Sequence, residues 1–308
     1  MYVQLTTRCN MTCEHCCFAC TSKGVDLPKE LAFKAIDQAV DACDQITLGG
    51  GEPTLHPDFW EILAYALRQA DEESYVLVIT NGKKTEIALG LAFLADHCLL
   101  SVELSQDSYH DPINPLVVET FKDRKRIAYQ GKQYLPKCIA EAVGYCEYDE
   151  ISHRQQMWQD DIDYRRDNGE DVDAEEEEGF EMDEDEALET FWECYENPDA
   201  SKYYSAWSHG RPTLKGIRSV RQIMDRGRGK NIAGAKDECG CDTVCVGAEG
   251  KVWYCGCKDY AIADEVPSDI YTAYYTVRDK LQVAEEEWTC SKTPEFHEAV
   301  AELMEATA

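Results

Sequence analysis

Five of the sixteen cysteines of this chain fall within its first twenty residues, and three of them keep the spacing Cys9-x3-Cys13-x2-Cys16. Three thiols within eight residues confine that stretch to a tight loop around a shared centre. A cubane iron–sulfur cluster has four irons, so three thiolates leave one iron open to a substrate or cofactor, as an open position does at a catalytic metal. A structural zinc is the competing reading, with Cys17, Cys20 or His15 as its fourth ligand. No basic-then-apolar export signal opens the chain at MYVQLTTRCN. So many thiols without such a signal point to a reducing, cytoplasmic setting and to metal rather than disulfides.

A second group, Cys239-Gly-Cys241-x3-Cys245 followed by Cys255-Gly-Cys257 and a distant Cys290, is too dense for packing. Val244 to Tyr254, around Gly247-Ala248-Glu249-Gly250, reads as a hairpin that brings the two pairs together as knuckles. Zinc or an iron–sulfur cluster fits that geometry. Cys43, Cys98, Cys138, Cys146 and Cys194 stand alone and read as small hydrophobes of the core.

Between the two groups, the first 105 residues alternate strand and helix patterns. Tyr2–Thr6, Gln45–Leu48, Tyr75–Ile79 and Leu99–Leu104 are predicted strands. Between them Leu31, Ala32, Ala35, Ile36, Ala39 and Val40, then Phe59–Ala70, then Ile87–His97, have helical spacing. Regular alternation means βαβ units, a parallel sheet and ligands beyond the carboxyl ends of the strands. The polar and glycine-rich signals lie at those ends: Gly49-Gly50-Gly51-Glu52-Pro53 after one strand and Thr80-Asn81-Gly82 after the next. Glycine lets backbone approach a ligand, and a glutamate accepts hydrogen bonds from an ammonium group.

Charge marks the remaining organisation. The chain carries 60 acidic and 30 basic residues, a net charge of -30 that favours solubility and opposes generic nucleic-acid binding. Residues 160–189 hold 17 acidic and 2 basic side chains and read as a solvated insertion. Residues 211–236 reverse the sign to a net +7, which suits pairing with that insertion or an anionic substrate. No apolar run approaches the ~20 residues a bilayer needs, so no membrane partner is expected. The expected division is 1–150, the first part of a catalytic core; 151–200, the acidic insertion; 201–236, a basic connector; and 237–308, the cysteine-rich region with a C-terminal helix.

The segment Thr7-Arg8-Cys9-Asn10-Met11-Thr12-Cys13-Glu14-His15-Cys16, followed one strand–helix unit later by Gly49–Pro53, resembles the radical S-adenosylmethionine (SAM) superfamily. The resemblance implies an α/β fold, a partial (β/α)6 TIM-like barrel. It implies that Cys9, Cys13 and Cys16 hold a 4Fe-4S cluster and that SAM chelates the fourth iron through its amino and carboxylate groups. His15 takes the position of an aromatic residue beside the adenine. Gly49, Gly50, Gly51, Glu52 and Pro53 hold the methionine amino group, and Thr80, Asn81, Ser101, Glu103 and Ser105 are placed for ribose or substrate contacts. The second cysteine group resembles the SPASM or twitch extensions that carry an auxiliary 4Fe-4S cluster, with Cys239, Cys241, Cys245, Cys255, Cys257 and Cys290 competing for its four positions.

On this resemblance the chain is an enzyme that reductively cleaves SAM to a 5′-deoxyadenosyl radical and removes hydrogen from a substrate. That substrate is a peptide or protein, a small molecule, or a modified nucleoside or nucleic acid. An electron donor such as flavodoxin or ferredoxin is the expected partner. No acid or base stands out; His110, just past a predicted strand, is the one weak catalytic candidate. The alternative is a zinc- or cluster-bearing scaffold recruiting a partner through its acidic insertion, which leaves Gly49–Pro53 without a role.

Overall fold

The computed structural model describes residues 1–70, 74–96, 100–122, 129–139, 142, 162, 165–166, 215–218, 231, 243–256, 258 and 260–282. The chain divides into two compact units, Met1–Pro136 with Thr213–Ala308, and Lys137–Pro212. In the second, Ile139, Ala142 and Ile162 are buried. The acidic stretch around Glu175–Glu178 and Cys98, Cys146, Cys194, Cys239, Cys241, Cys257 and Cys290 lie outside the described residues.

The first unit is built on one sheet. Strands β1 (Tyr2–Thr6), β2 (Ile46–Gly50), β3 (Val76–Thr80), β4 (Leu100–Ser105) and β5 (Lys215–Arg218) are joined by β6 (Cys245–Val246), β7 (Val252–Trp253) and β8 (Ala261–Ala263). Their order is β5-β4-β3-β2-β1-β6-β7-β8. Every neighbouring pair from β5 to β6 is parallel, and β6-β7-β8 is an antiparallel meander at the β1 side. The expected α/β class with a parallel-dominated sheet is what the chain adopts. The basic connector of the sequence reading contains a strand, β5, paired with β4. Its four residues, Lys-Gly-Ile-Arg, are too short and too charged to announce a strand by pattern.

Helices α1 (Lys29–Asp41), α2 (Phe59–Gln69), α3 (Thr85–Ala95) and α4 (Pro115–Phe121) follow the first four strands. Helix α1 buries Ala32, Ala35, Ile36 and Ala39, the i, i+3, i+4, i+7 stripe of an amphipathic helix. It pairs with α2 through stacked Phe33 and Tyr65 rings with centroids 4.1 Å apart, and through a bond from Tyr65 to Asp37. Helix α3 buries eight consecutive residues from Ala88 to Ala95, so it is enclosed rather than laid on a surface. Among the described elements a further helix, α5 (Ile270–Gln282), docks against α1: Gln38 accepts from the Ile270 amide at 2.6 Å, and Lys34 donates to the Val266 carbonyl just before it at 2.7 Å.

Cys43 departs from its expected place in the core. It is exposed, with φ of 52°, in the left-handed turn that ends α1, where its amide donates to the Val40 carbonyl at 2.9 Å. Cys138 is half-buried.

β2 continues through Gly49 and Gly50 instead of stopping before them. The reason is the neighbouring strand. A Cβ on Gly49 would stand 2.5 Å from the Tyr2 hydroxyl. Gly50, at φ 145°, lies against the Thr6 carbonyl, and Gly51 lies against the Arg8 carbonyl. The register of β1 on β2 slips between Gln4 and Thr6 to allow this approach. Gly51→Ala must push the Arg8 backbone away and is expected to cost about 1–3 kcal/mol in chemical denaturation. Gly256, with nothing within 4 Å of a built Cβ, should accept alanine within ~0.5 kcal/mol. Equal effects at the two positions would contradict the packing described.

Candidate functional site

The cysteine loop leaves the carboxyl end of β1 and is closed at its base by backbone bonds. Thr7 donates to Val25 at 2.9 Å, Cys9 to the Thr21 carbonyl at 2.7 Å, and Leu27 to Leu5 at 2.8 Å. Arg8 clamps the base: Nε and Nη2 reach the two oxygens of Asp26 at 2.9 and 2.7 Å, and Nη2 also donates to the Leu55 carbonyl. Such a bidentate pair fixes orientation more than a point charge does. Two further bonds tie the loop to the glycine turn, Gly51 N–H to Thr6 O at 2.7 Å and Glu52 N–H to Arg8 O at 2.8 Å.

Glu52 is 1% exposed and ties its own turn to the end of β3. Its Oε1 accepts from the Thr54 amide at 3.3 Å, the Thr54 hydroxyl at 2.6 Å and the Thr80 hydroxyl at 2.8 Å; its Oε2 accepts from the Asn81 amide at 2.7 Å. It also caps the short 3₁₀ turn Pro53–Leu55, for which Pro53 supplies a pre-set φ. Burial pushes the Glu52 carboxyl above its ordinary value, while the donors on Asn81, Thr54 and Thr80 pull it back. Asn81 then reaches the loop, donating to Asn10 Oδ1 at 2.8 Å and lying 3.7 Å from Cys9 Sγ. Lys83 bonds the Asn10 carbonyl at 2.9 Å and Asp111 at 2.7 Å.

Cys9, Cys13 and Cys16 are half-buried. Burial raises the Cys9 thiol, and burial followed by the neighbouring Cys9 and Cys16 sulfurs pushes Cys13 up to about 11. Cys9 and Cys13 are therefore protonated until a cation displaces the protons. Their spacing tests which cation fits. A tetrahedral zinc brings its sulfurs to roughly 3.8 Å of one another. Among the described residues the set of three donor atoms mutually within 4.8 Å is His15, Asp107 and His110, not the three thiols. The three thiols are thus not gathered as a tetrahedral zinc gathers its ligands, and three thiolates on a cubane leave one of its four irons for another ligand.

His15 faces the loop after β4, its ring 4.8 Å from His110 and 5.3 Å from Tyr109 between centroids. His110 Nδ1 lies 2.8 Å from Asp107 Oδ1, which also accepts from the Tyr109 amide. Ser101, Glu103 and Ser105 alternate on the half-buried face of β4. Sequence reasoning missed Asn10 and the Arg8–Asp26 clamp, which no motif spacing marks. Tyr2 under Gly49 was signalled only by the bare glycine itself.

In the second cysteine group, Cys245 and Cys255 are buried, and burial pushes Cys245 up to about 12. Cys245 pairs in register with Tyr2 across β1 and β6. The predicted hairpin is present, with Cys245 opposite Trp253 and Val246 opposite Val252. Lys258 holds it to β1, bonding Gln4 and, at 3.0 Å, Glu249.

Residues 3–154 match the model of the radical SAM superfamily. The mycofactocin maturase MftC of Mycobacterium ulcerans (strain Agy99) is 31% identical over 119 residues, 37% of this chain and 30% of that protein. MftC of Mycolicibacterium smegmatis (strain ATCC 700084 / mc(2)155) is 32% identical over 121 residues, 37% of this chain and 29% of that protein. The chain thus spans less than a third of the length of these curated relatives. The solved structure "Native anSMEcpe with bound AdoMet and Cp18Cys peptide" superposes at a TM-score of 0.39 and 12% identity, covering 96% of this chain and 80% of that one, too loosely to bear on the fold.

Glu52→Ala strands the donors of Thr54, Thr80 and Asn81 and should cost about 3 kcal/mol. The raised carboxyl also gives stability a definite pH slope. Between the ordinary value of 4.5 and the higher folded one, the native state keeps a proton that the unfolded chain has lost. Stability therefore falls as pH rises through that window, and Glu52→Gln removes the fall. Urea denaturation from pH 4 to 8 reads the slope; identical slopes for wild type and Glu52→Gln would contradict it.

Proposed function

We propose that this chain, which carries a radical SAM domain over residues 3–154, is an enzyme that cleaves SAM reductively and removes hydrogen from a bound substrate. The observation that carries the reading is the bonded unit of cysteine loop and glycine turn, Gly51 to Thr6 and Glu52 to Arg8. It sets the cysteine loop and the glycine turn side by side at the carboxyl ends of parallel strands. A scaffold that merely holds zinc has no need of that turn, so the scaffold reading is not favoured.

Cys9, Cys13 and Cys16 would hold a 4Fe-4S cluster. When bound, cluster and SAM together supply one-electron cleavage of the sulfonium to methionine and a 5′-deoxyadenosyl radical that abstracts hydrogen. The chain's own residues do the positioning. Carbonyls of Gly49–Gly51 would accept from the SAM amino group, and Glu52 would keep that turn in place through Thr54, Thr80 and Asn81. Asn81 and Lys83 would hold the loop through Asn10, and His15 would face the adenine. Ser101, Glu103 and Ser105 would meet ribose or substrate, and His110 would be the candidate for proton transfer. Cys245 and Cys255, with Cys239, Cys241, Cys257 or Cys290, would bind an auxiliary 4Fe-4S cluster beside β1.

Relatives named maturases support a precursor as substrate, and a peptide or protein is the form of precursor proposed. Small molecules and nucleosides are the alternatives. A flavodoxin or ferredoxin would supply the electron. The thiol content suits a reducing cytoplasm, and no described helix is long and apolar enough to cross a membrane.

Anaerobically reconstituted protein given SAM and dithionite should release 5′-deoxyadenosine, and Cys13→Ala should reduce it to background. Iron content of about eight per chain would support the auxiliary cluster, and about four would contradict it. No 5′-deoxyadenosine above the Cys13→Ala control would overturn the enzymatic reading.

A further inference from the structure

The loop after β1 carries five thiols, two more than the radical SAM reading uses. One of the surplus pair, Cys20, is placed as carefully as the ligands. The bond from Cys9 N–H to the Thr21 carbonyl and the bridge between Arg8 and Thr21 bring the returning chain alongside Cys9. Cys20 is 2% exposed. Its Cβ stands 3.1 Å from the position a Cβ on Gly51 would take, so it fills the space that this glycine leaves. Its thiol is hydrogen-bonded with that of Cys16 and interacts with Cys9 and Cys17. Cys20 thus touches the glycine turn at Gly51 and a ligand thiol at Cys16, and it is the turn at which the amino-acid part of SAM is proposed to reach the open iron.

We infer that Cys20 is a displaceable fourth ligand of the cluster held by Cys9, Cys13 and Cys16. The inference rests on the radical SAM reading and adds to it what occupies the open iron before SAM arrives. The exchange is balanced without redox change: the bond from iron to Cys20 sulfur breaks, the SAM ammonium gives up one proton as its nitrogen and a carboxylate oxygen bond to iron, and the released Cys20 sulfur is left protonated as a thiol. A tethered thiolate has a high effective concentration at the iron, and a bidentate ligand displaces it. Two consequences follow. The cluster keeps its fourth iron while SAM is absent, and SAM binds more weakly than to a vacant iron, because the competent state is only a fraction of the population.

The test uses the full chain, reconstituted anaerobically, as wild type, Cys20→Ala, Cys20→Ser and Cys17→Ala. Brief ferricyanide oxidation without SAM is followed by the paramagnetic signal of a 3Fe-4S product and by iron content. Wild type and Cys17→Ala should retain their iron, whereas Cys20→Ala should lose one iron per chain and bind SAM about tenfold more tightly. Any auxiliary cluster gives the same background in all four proteins. If Cys20→Ala does not load a cluster, the wild-type and Cys20→Ser proteins decide. Wild type that converts to 3Fe-4S as fast as either Cys20 variant overturns the inference, as does a Cys17→Ala protein that loses iron as fast as Cys20→Ala. Failure of wild type to form 5′-deoxyadenosine while Cys20 still protects the iron would instead refute the enzymatic reading and leave the ligand assignment standing.

Discussion

Two backbone hydrogen bonds, from Gly51 to Thr6 and from Glu52 to Arg8, hold the metal-binding loop against the glycine turn. Neither involves a side chain, and both need the two backbones closer than a Cβ permits. That requirement explains the glycines more directly than ligand binding does: Gly50 and Gly51 are bare because Thr6 and Arg8 carbonyls occupy the space. The loop is therefore positioned by the sheet itself, as an extension of the β1–β2 pairing past its register slip. A site built on strand ends in this way moves less than one carried on a free loop.

The same economy applies to the polar groups. Glu52 is buried among donors from its own turn and from the end of β3, and Asn81 carries the connection on to Asn10 and the Cys9 sulfur. Three strand ends are thereby joined through one carboxylate and one amide. The Cys9 and Cys13 thiols are held in an environment that disfavours their charge, so cation binding must supply the energy of deprotonation. Stability at this end of the sheet is exchanged for a preorganised receptor.

Most of the first unit was legible in the sequence because its signals are local. The stripe of Ala32, Ala35, Ile36 and Ala39, the apolar run of β3 and the hairpin around Gly247–Gly250 each specify structure within a short window. The strand through Gly49 and Gly50 was not legible, since its glycines serve a partner, Tyr2–Arg8, far away in sequence. β5 was hidden for a similar reason: Lys215–Arg218 has no alternation and is a strand through pairing with β4. Cys43 shows the limit of composition, a residue type usually buried but placed here by a left-handed helix end. In the site, cysteine spacing and the glycine turn could be read directly, whereas the Arg8–Asp26 clamp and the contact of His15 with His110 depend on tertiary folding.

Electron–nuclear double resonance on the reduced cluster, with SAM labelled at the amino nitrogen and carboxylate oxygen, asks whether one iron is given up to that ligand. Coupling of both labels to the cluster is the result expected. A cluster that forms fully yet shows neither coupling at saturating SAM would contradict the account at its centre.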